Sequence, residues 1–134
     1  MKKLLLLLFL IPNLVMAELL SVRCNFTDGV STNFDSGKPI LGGGGKFPDI
    51  VFDQINVAKG TGRFIGNAGA VDVNVFRGSE SINIFESTPV GNMNLTTIFN
   101  DLPTKDGYFP VVHSRHLNMM GAFVSQYVGL CSPI

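Results

Sequence analysis

Tryptophan is missing from this chain, cysteine, histidine and tyrosine occur twice each, and charged residues fill only 15 % of the positions. Basic and acidic residues balance, and lysine and arginine form no cluster. A surface without a basic stripe excludes a groove that tracks phosphates and a patch that docks on anionic lipid. The chain also lacks a run of ~20 apolar residues, the length a membrane-spanning helix needs. Its one long apolar stretch, Leu4 to Ile11, is stopped by Pro12-Asn13. Sustained helical periodicity is absent as well, which excludes a helical core. What the chain has instead is eleven phenylalanines and fifteen glycines. Few charges with abundant aromatics and turn formers fit a folded β domain rather than a disordered chain.

Met1-Lys2-Lys3, the apolar run and Val15-Met16-Ala17 together read as a secretory signal peptide over residues 1–17. That predicts a periplasmic or secreted domain over 18–134 with no membrane span after processing. Removing Lys2 and Lys3 leaves a weak negative balance. One domain of this size has a limited core, so a covalent staple helps. In an oxidising compartment Cys24 and Cys131 are expected to form a disulfide that closes nearly the whole mature chain.

Alternation sets the elements. Leu20, Val22, Cys24 and Phe26 share one face of a first strand, which Asp28-Gly29 is expected to end. Val30 to Lys46 reads as a long irregular connection containing Pro39 and the run Gly42 to Gly45. That run does not make a phosphate loop, because Ile40 and Phe47 stand where the motif needs Gly and Ser or Thr. Further strands are predicted over 49–57, with Val51, Ile55 and Val57 on one face, and over 70–76, with Val71, Val73 and Val75 inward. Others follow over 81–86 and 94–99, then a terminal pair from Phe109 to Cys131. Short strands about ten residues apart, with turns between them, predict an all-β antiparallel meander of about eight strands. It is expected to curl into a small barrel or a sandwich, its first and last strands joined by the disulfide.

Cys24-Asn25-Phe26, Arg63 to Gly69, Val112-His113-Ser114-Arg115-His116 and Ser125-Gln126-Tyr127-Val128-Gly129-Leu130-Cys131 carry a resemblance. The pattern is similar to that of a group of small exported proteins of Gram-negative bacteria with an alternating β body and a Ser-Gln-Tyr, Gly, Cys ending. The resemblance implies export and a β fold, and brings no activity with it.

The segment His113 to His116 is the densest concentration of chemistry. Strand geometry sends His113 and His116 to opposite faces, so they cannot share a metal ion, and it turns Ser114 away from His113. No catalytic residue, metal site or cofactor is therefore expected. His113, Arg115 and His116 remain as candidate binding residues. If the Val111 face is inward, Arg115 sits at the barrel end and offers its fork to a carboxylate, one of the protein's own ahead of a bound anion. If the Val112 face is inward, His116 takes the inner place. Asp53, Asp72 and Glu86 fall on successive strands and read as a wet outer face rather than as paired catalytic carboxylates. Asn25-Phe26-Thr27 and Asn94-Leu95-Thr96 match the glycosylation sequon, a short pattern common by chance. Two functions stay open: a non-catalytic binding module for a small molecule or partner peptide, and a structural or interaction protein of the cell envelope.

Overall fold

The computed structural model describes residues 19–118 and 120–134. The expected signal peptide, residues 1–17, lies outside them. Nine strands run in chain order: β1 (Leu20–Asp35), β2 (Lys38–Gly43), β3 (Ile50–Asn56), β4 (Thr61–Gly66), β5 (Gly69–Arg77), β6 (Ile82–Ser87), β7 (Met93–Ile98), β8 (Phe109–Asn118) and β9 (Ala122–Pro133). Each pairs antiparallel with its neighbour in the order β2-β1-β3-β4-β5-β6-β7-β8-β9, and β1 also pairs with β9. That last pairing closes eight strands into a barrel, with β2 hung outside it. Of the two expected architectures, the barrel is the one formed.

Closure has a reason in the sequence. Cys24 lies directly opposite Cys131 in the β1–β9 register, and the two form a disulfide with Cα atoms 3.9 Å apart. Neither cysteine is accessible to solvent. Next to them Gly129 faces Phe26 across the ladder. A Cβ on Gly129 would run into the backbone carbonyl of Asn25, so only glycine lets the first and last strands approach this closely.

The core lies inside the barrel: Val22, Phe26, Phe52, Ile55, Val73, Val75, Ile82, Ile84, Ile98, Val111 and Tyr127 are all buried. Each such apolar side chain contributes roughly 1.5–3 kcal/mol by leaving water. The outer surface carries Arg23, Asp53, Arg63 and Asp72. Charges on this outer wall do not suit a lipid-facing band. Among the described residues no helix is long and apolar enough to cross a membrane.

Three expectations need correction. First, β1 does not end at Asp28-Gly29. It runs on to Asp35, and residues 30–43, read as an irregular connection, form a regular hairpin in which Val30 to Asp35 pair with Lys38 to Gly43. The register shifts between Phe26 and Asp28, so Thr27 is an extra residue in a bulge. That bulge absorbs the turn-like dipeptide and brings Gly29 back inward beneath the Tyr127 ring. Second, the inward residues of β3 are Ile50, Phe52 and Ile55, whereas Val51 lies opposite Ile65 on the outer face. Gln54, held at φ +50°, inserts a bulge that resets the alternation between Phe52 and Ile55. Third, Val73 and Val75 are buried but Val71 is 47 % exposed, because β5 outruns the core at that end.

Candidate functional site

The ladders place inward side chains of β6, β7, β8 and β9 in rungs. The lowest rung is Ile82, Ile98 and Val111, apolar and packed. One step up lie Ile84, Thr96, His113 and Tyr127, and one step further Glu86, Asn94, Arg115 and Ser125. The interior thus passes from hydrocarbon to hydroxyl and imidazole, and then to charge. Above the floor the barrel is not filled. A cavity of about 400 Å³ opens at this end, with Ile50, Phe52, Phe64 and Ile84 on its apolar walls and Glu86, Asn94, Thr96, His113 and Arg115 on its polar side.

The segment between β2 and β3 forms part of the cavity wall through Lys46, Phe47 and Pro48. It is pinned at both ends. The amide of Gly44 donates to the Gly29 carbonyl at 2.9 Å, and the Tyr127 hydroxyl donates to the Gly44 carbonyl at 3.0 Å. At the other end, Asn25 Nδ2 donates to Asp49 Oδ1 at 2.7 Å. Gly44 must be glycine because a Cβ there would lie 2.8 Å from the Gly29 backbone. Held this way, the Phe47 ring stacks on Tyr127 with centroids 4.3 Å apart and stands 4.9 Å from His113. The glycine run, read from the sequence as part of an irregular connection, therefore sets a close contact.

His113 is buried and its Nδ1 shares a 2.8 Å hydrogen bond with Thr96 Oγ1. Burial first, and the nearby Arg115 charge second, pull its pKa down to about 4. At neutral pH the imidazole is uncharged. Arg115 lies over the Phe47 ring, its Cζ 5.2 Å from the centroid, in a cation–π contact. The expected carboxylate partner is not there: among the described residues the one ion pair joins Arg63 to Asp53. Glu86 accepts a hydrogen bond from Asn94 Nδ2 at 2.6 Å, which leaves Asn94 Oδ1 buried with no partner. Ser125 Oγ, in the same rung, is also buried and unpartnered.

The sequence candidates separate. His113 and Arg115 meet in the cavity, on the inward face with Val111. His116 projects from the outer face opposite Met93 and Val124. The three carboxylates do not meet either. Asp53 and Asp72 lie outside on either side of Arg63, whose guanidinium hydrogen-bonds Asp53 at 2.8 and 2.6 Å and lowers its pKa. Glu86 is inside. Glu86 was expected on the wet outer face, and the unbroken alternation of β6 places it inside instead, while Thr96, Asn94 and Phe47 were not among the sequence candidates. Parity along the strands was the available signal, since Glu86 shares a face with Ile82 and Ile84, and Asn94 with Thr96 and Ile98. Nothing comparable pointed to Phe47, which is placed by a loop. Among the described residues no three His, Cys, Asp or Glu side chains gather into a metal site.

No family model matches the chain, and comparison with curated proteins and with solved structures gives no match.

Proposed function

We propose that this protein is a non-catalytic binding module that takes a small, largely apolar molecule into the open end of its barrel. The observation that carries this reading is the contrast within one interior. Around the disulfide Val22, Cys24, Ile98, Val111 and Cys131 are all buried, whereas the other half keeps a cavity of about 400 Å³ walled by phenylalanines. That volume falls within the range of small-molecule sites, and apolar walls with a few polar groups are their usual lining. The polar groups suit holding better than reacting. His113 is a weak base with Nδ1 engaged by Thr96, and Ser114 faces outward, where Gln126 Nε2 donates to its hydroxyl at 3.0 Å.

The absence of tryptophan makes a clean reporter possible. Phe64→Trp places one indole in the cavity wall, to be titrated with 2-phenylethanol, a neutral probe of suitable size. Saturable change in emission, with one probe bound per chain in native mass spectrometry, is the expected result. A linear, non-saturating response in both measurements would reject the reading.

A second reading, an interaction protein of the cell envelope, draws on the outer face of β7 to β9. There Leu95, Val128 and Leu130 are 43 %, 45 % and 40 % exposed. A patch of that kind favours contact with another protein. An unoccupied cavity together with a self-associating or partner-retaining outer face would favour it over the first.

A further inference from the structure

The geometry points to the class of ligand: a zwitterion with an apolar body, such as an α-amino acid carrying an aromatic or branched side chain. This inference rests on the cavity being the binding site. Its basis is the rung Glu86, Asn94, Arg115 on three adjacent strands at the cavity's polar side. Neighbouring strands lie about 4.8 Å apart, so the backbones carrying the two opposite charges stand about 10 Å from one another. Asn94 occupies the strand between them, and Glu86 and Arg115 make no ion pair. The cavity therefore presents a negative group and a positive group, separated and not neutralised by each other.

Each group is prepared for one half of a zwitterion. Around Glu86 acceptors are in excess. Asn94 has turned its amide N–H toward the carboxylate, so its own Oδ1 is left buried without a donor. The Asn94 amide holds the Glu86 carboxylate in place at the cavity's polar side, where a ligand ammonium donates to it. On the next strand Arg115 is held over Phe47, and among the described residues its planar fork has no carboxylate to bind. A ligand carboxylate fits that fork in the bidentate manner. Lys46 adds a second cation to the cavity lining. A simple carboxylate would meet Arg115 but also face Glu86, and a simple amine would face both Arg115 and Lys46. Only a molecule bearing both charges has a favourable contact with each. Its side chain then lies toward Ile84, Phe52 and Phe64 on the apolar walls.

Calorimetry on the wild-type protein with four phenyl probes tests this directly. The probes are L-phenylalanine, 3-phenylpropanoate, 2-phenylethylamine and the neutral 2-phenylethanol. L-Phenylalanine is expected to bind at least ~10-fold more tightly than each of the others, one hydrogen-bonded charge contact being worth that factor or more. Arg115→Met should erase its advantage over the amine, and Glu86→Gln its advantage over the carboxylate, with melting curves confirming that both variants fold. Should 3-phenylpropanoate or 2-phenylethylamine bind as well as the amino acid while 2-phenylethanol still binds, the cavity reading stands and the zwitterion is wrong. Should none of the four bind, both fall.

Discussion

His113 shows how one buried side chain makes the fold sensitive to pH. In the unfolded chain its imidazole takes a proton below about pH 6.5, but in the folded protein only below about 4. Between those values the unfolded state holds the extra proton, so stability is full above about pH 6.5 and falls as the pH drops toward 4. The shift corresponds to a loss of roughly 3 kcal/mol at most, at about 1.4 kcal/mol per unit. Urea denaturation of the wild type between pH 7.5 and 4 should show this decline, and His113→Gln should flatten it. An unchanged slope in the variant would assign the acid sensitivity to other groups. The inward place of His113 follows from Val111 by simple alternation, and so does that of Arg115. Their surroundings do not follow, because Phe47 reaches them from a loop whose path depends on contacts with Gly29 and Tyr127.

At the scale of elements, strands with unbroken alternation were legible and strands with bulges were not. β6 and β8 alternate without a break, so their spans were legible, although Glu86 was expected outside and the inward face of β8 was left open between Val111 and Val112. β1 and β3 each gain one residue, at Thr27 and around Gln54, and beyond that point the side-chain parity inverts. Asp28-Gly29 looks like a terminator because turn residues and bulge residues share the same chemistry. The hairpin of residues 30–43 was missed for a further reason: every residue of β2 is exposed, so burial imposes no alternation on it. Its stability should be correspondingly local. Hydrogen exchange is expected to be fast at the β2 amides through local opening, and slow at Val22 to Phe26 and Gly129 to Cys131, where exchange requires global unfolding. Equal protection in both regions would mean that the hairpin unfolds with the barrel.

For the whole molecule, strand spacing and the two cysteine positions indicated a curled β meander with its ends joined, and left barrel and sandwich open. The β1–β9 pairing decides between them. The disulfide spans 107 residues of sequence, and in the loop-entropy picture a loop of about 100 residues contributes about 4.7 kcal/mol. Replacing both cysteines by alanine should lower the unfolding free energy by about 2–5 kcal/mol, with a native-like strand spectrum retained at low temperature. A loss well under 1 kcal/mol would show that the ladder holds the closure unaided. The same closure also fixes an order in time. Strands β3 to β8 can each pair with a neighbour soon after it is synthesised, but one edge of β1 must wait for β9, the last strand of the barrel in chain order. Until then that edge, bearing Val22, Cys24 and Phe26, is unsatisfied and open to strands of other chains. Contacts between sequence-distant strands also form slowly. This barrel is therefore most vulnerable to misassembly just before its final strand arrives, and a chaperone acting on the nascent chain would have most to gain by shielding its first strand.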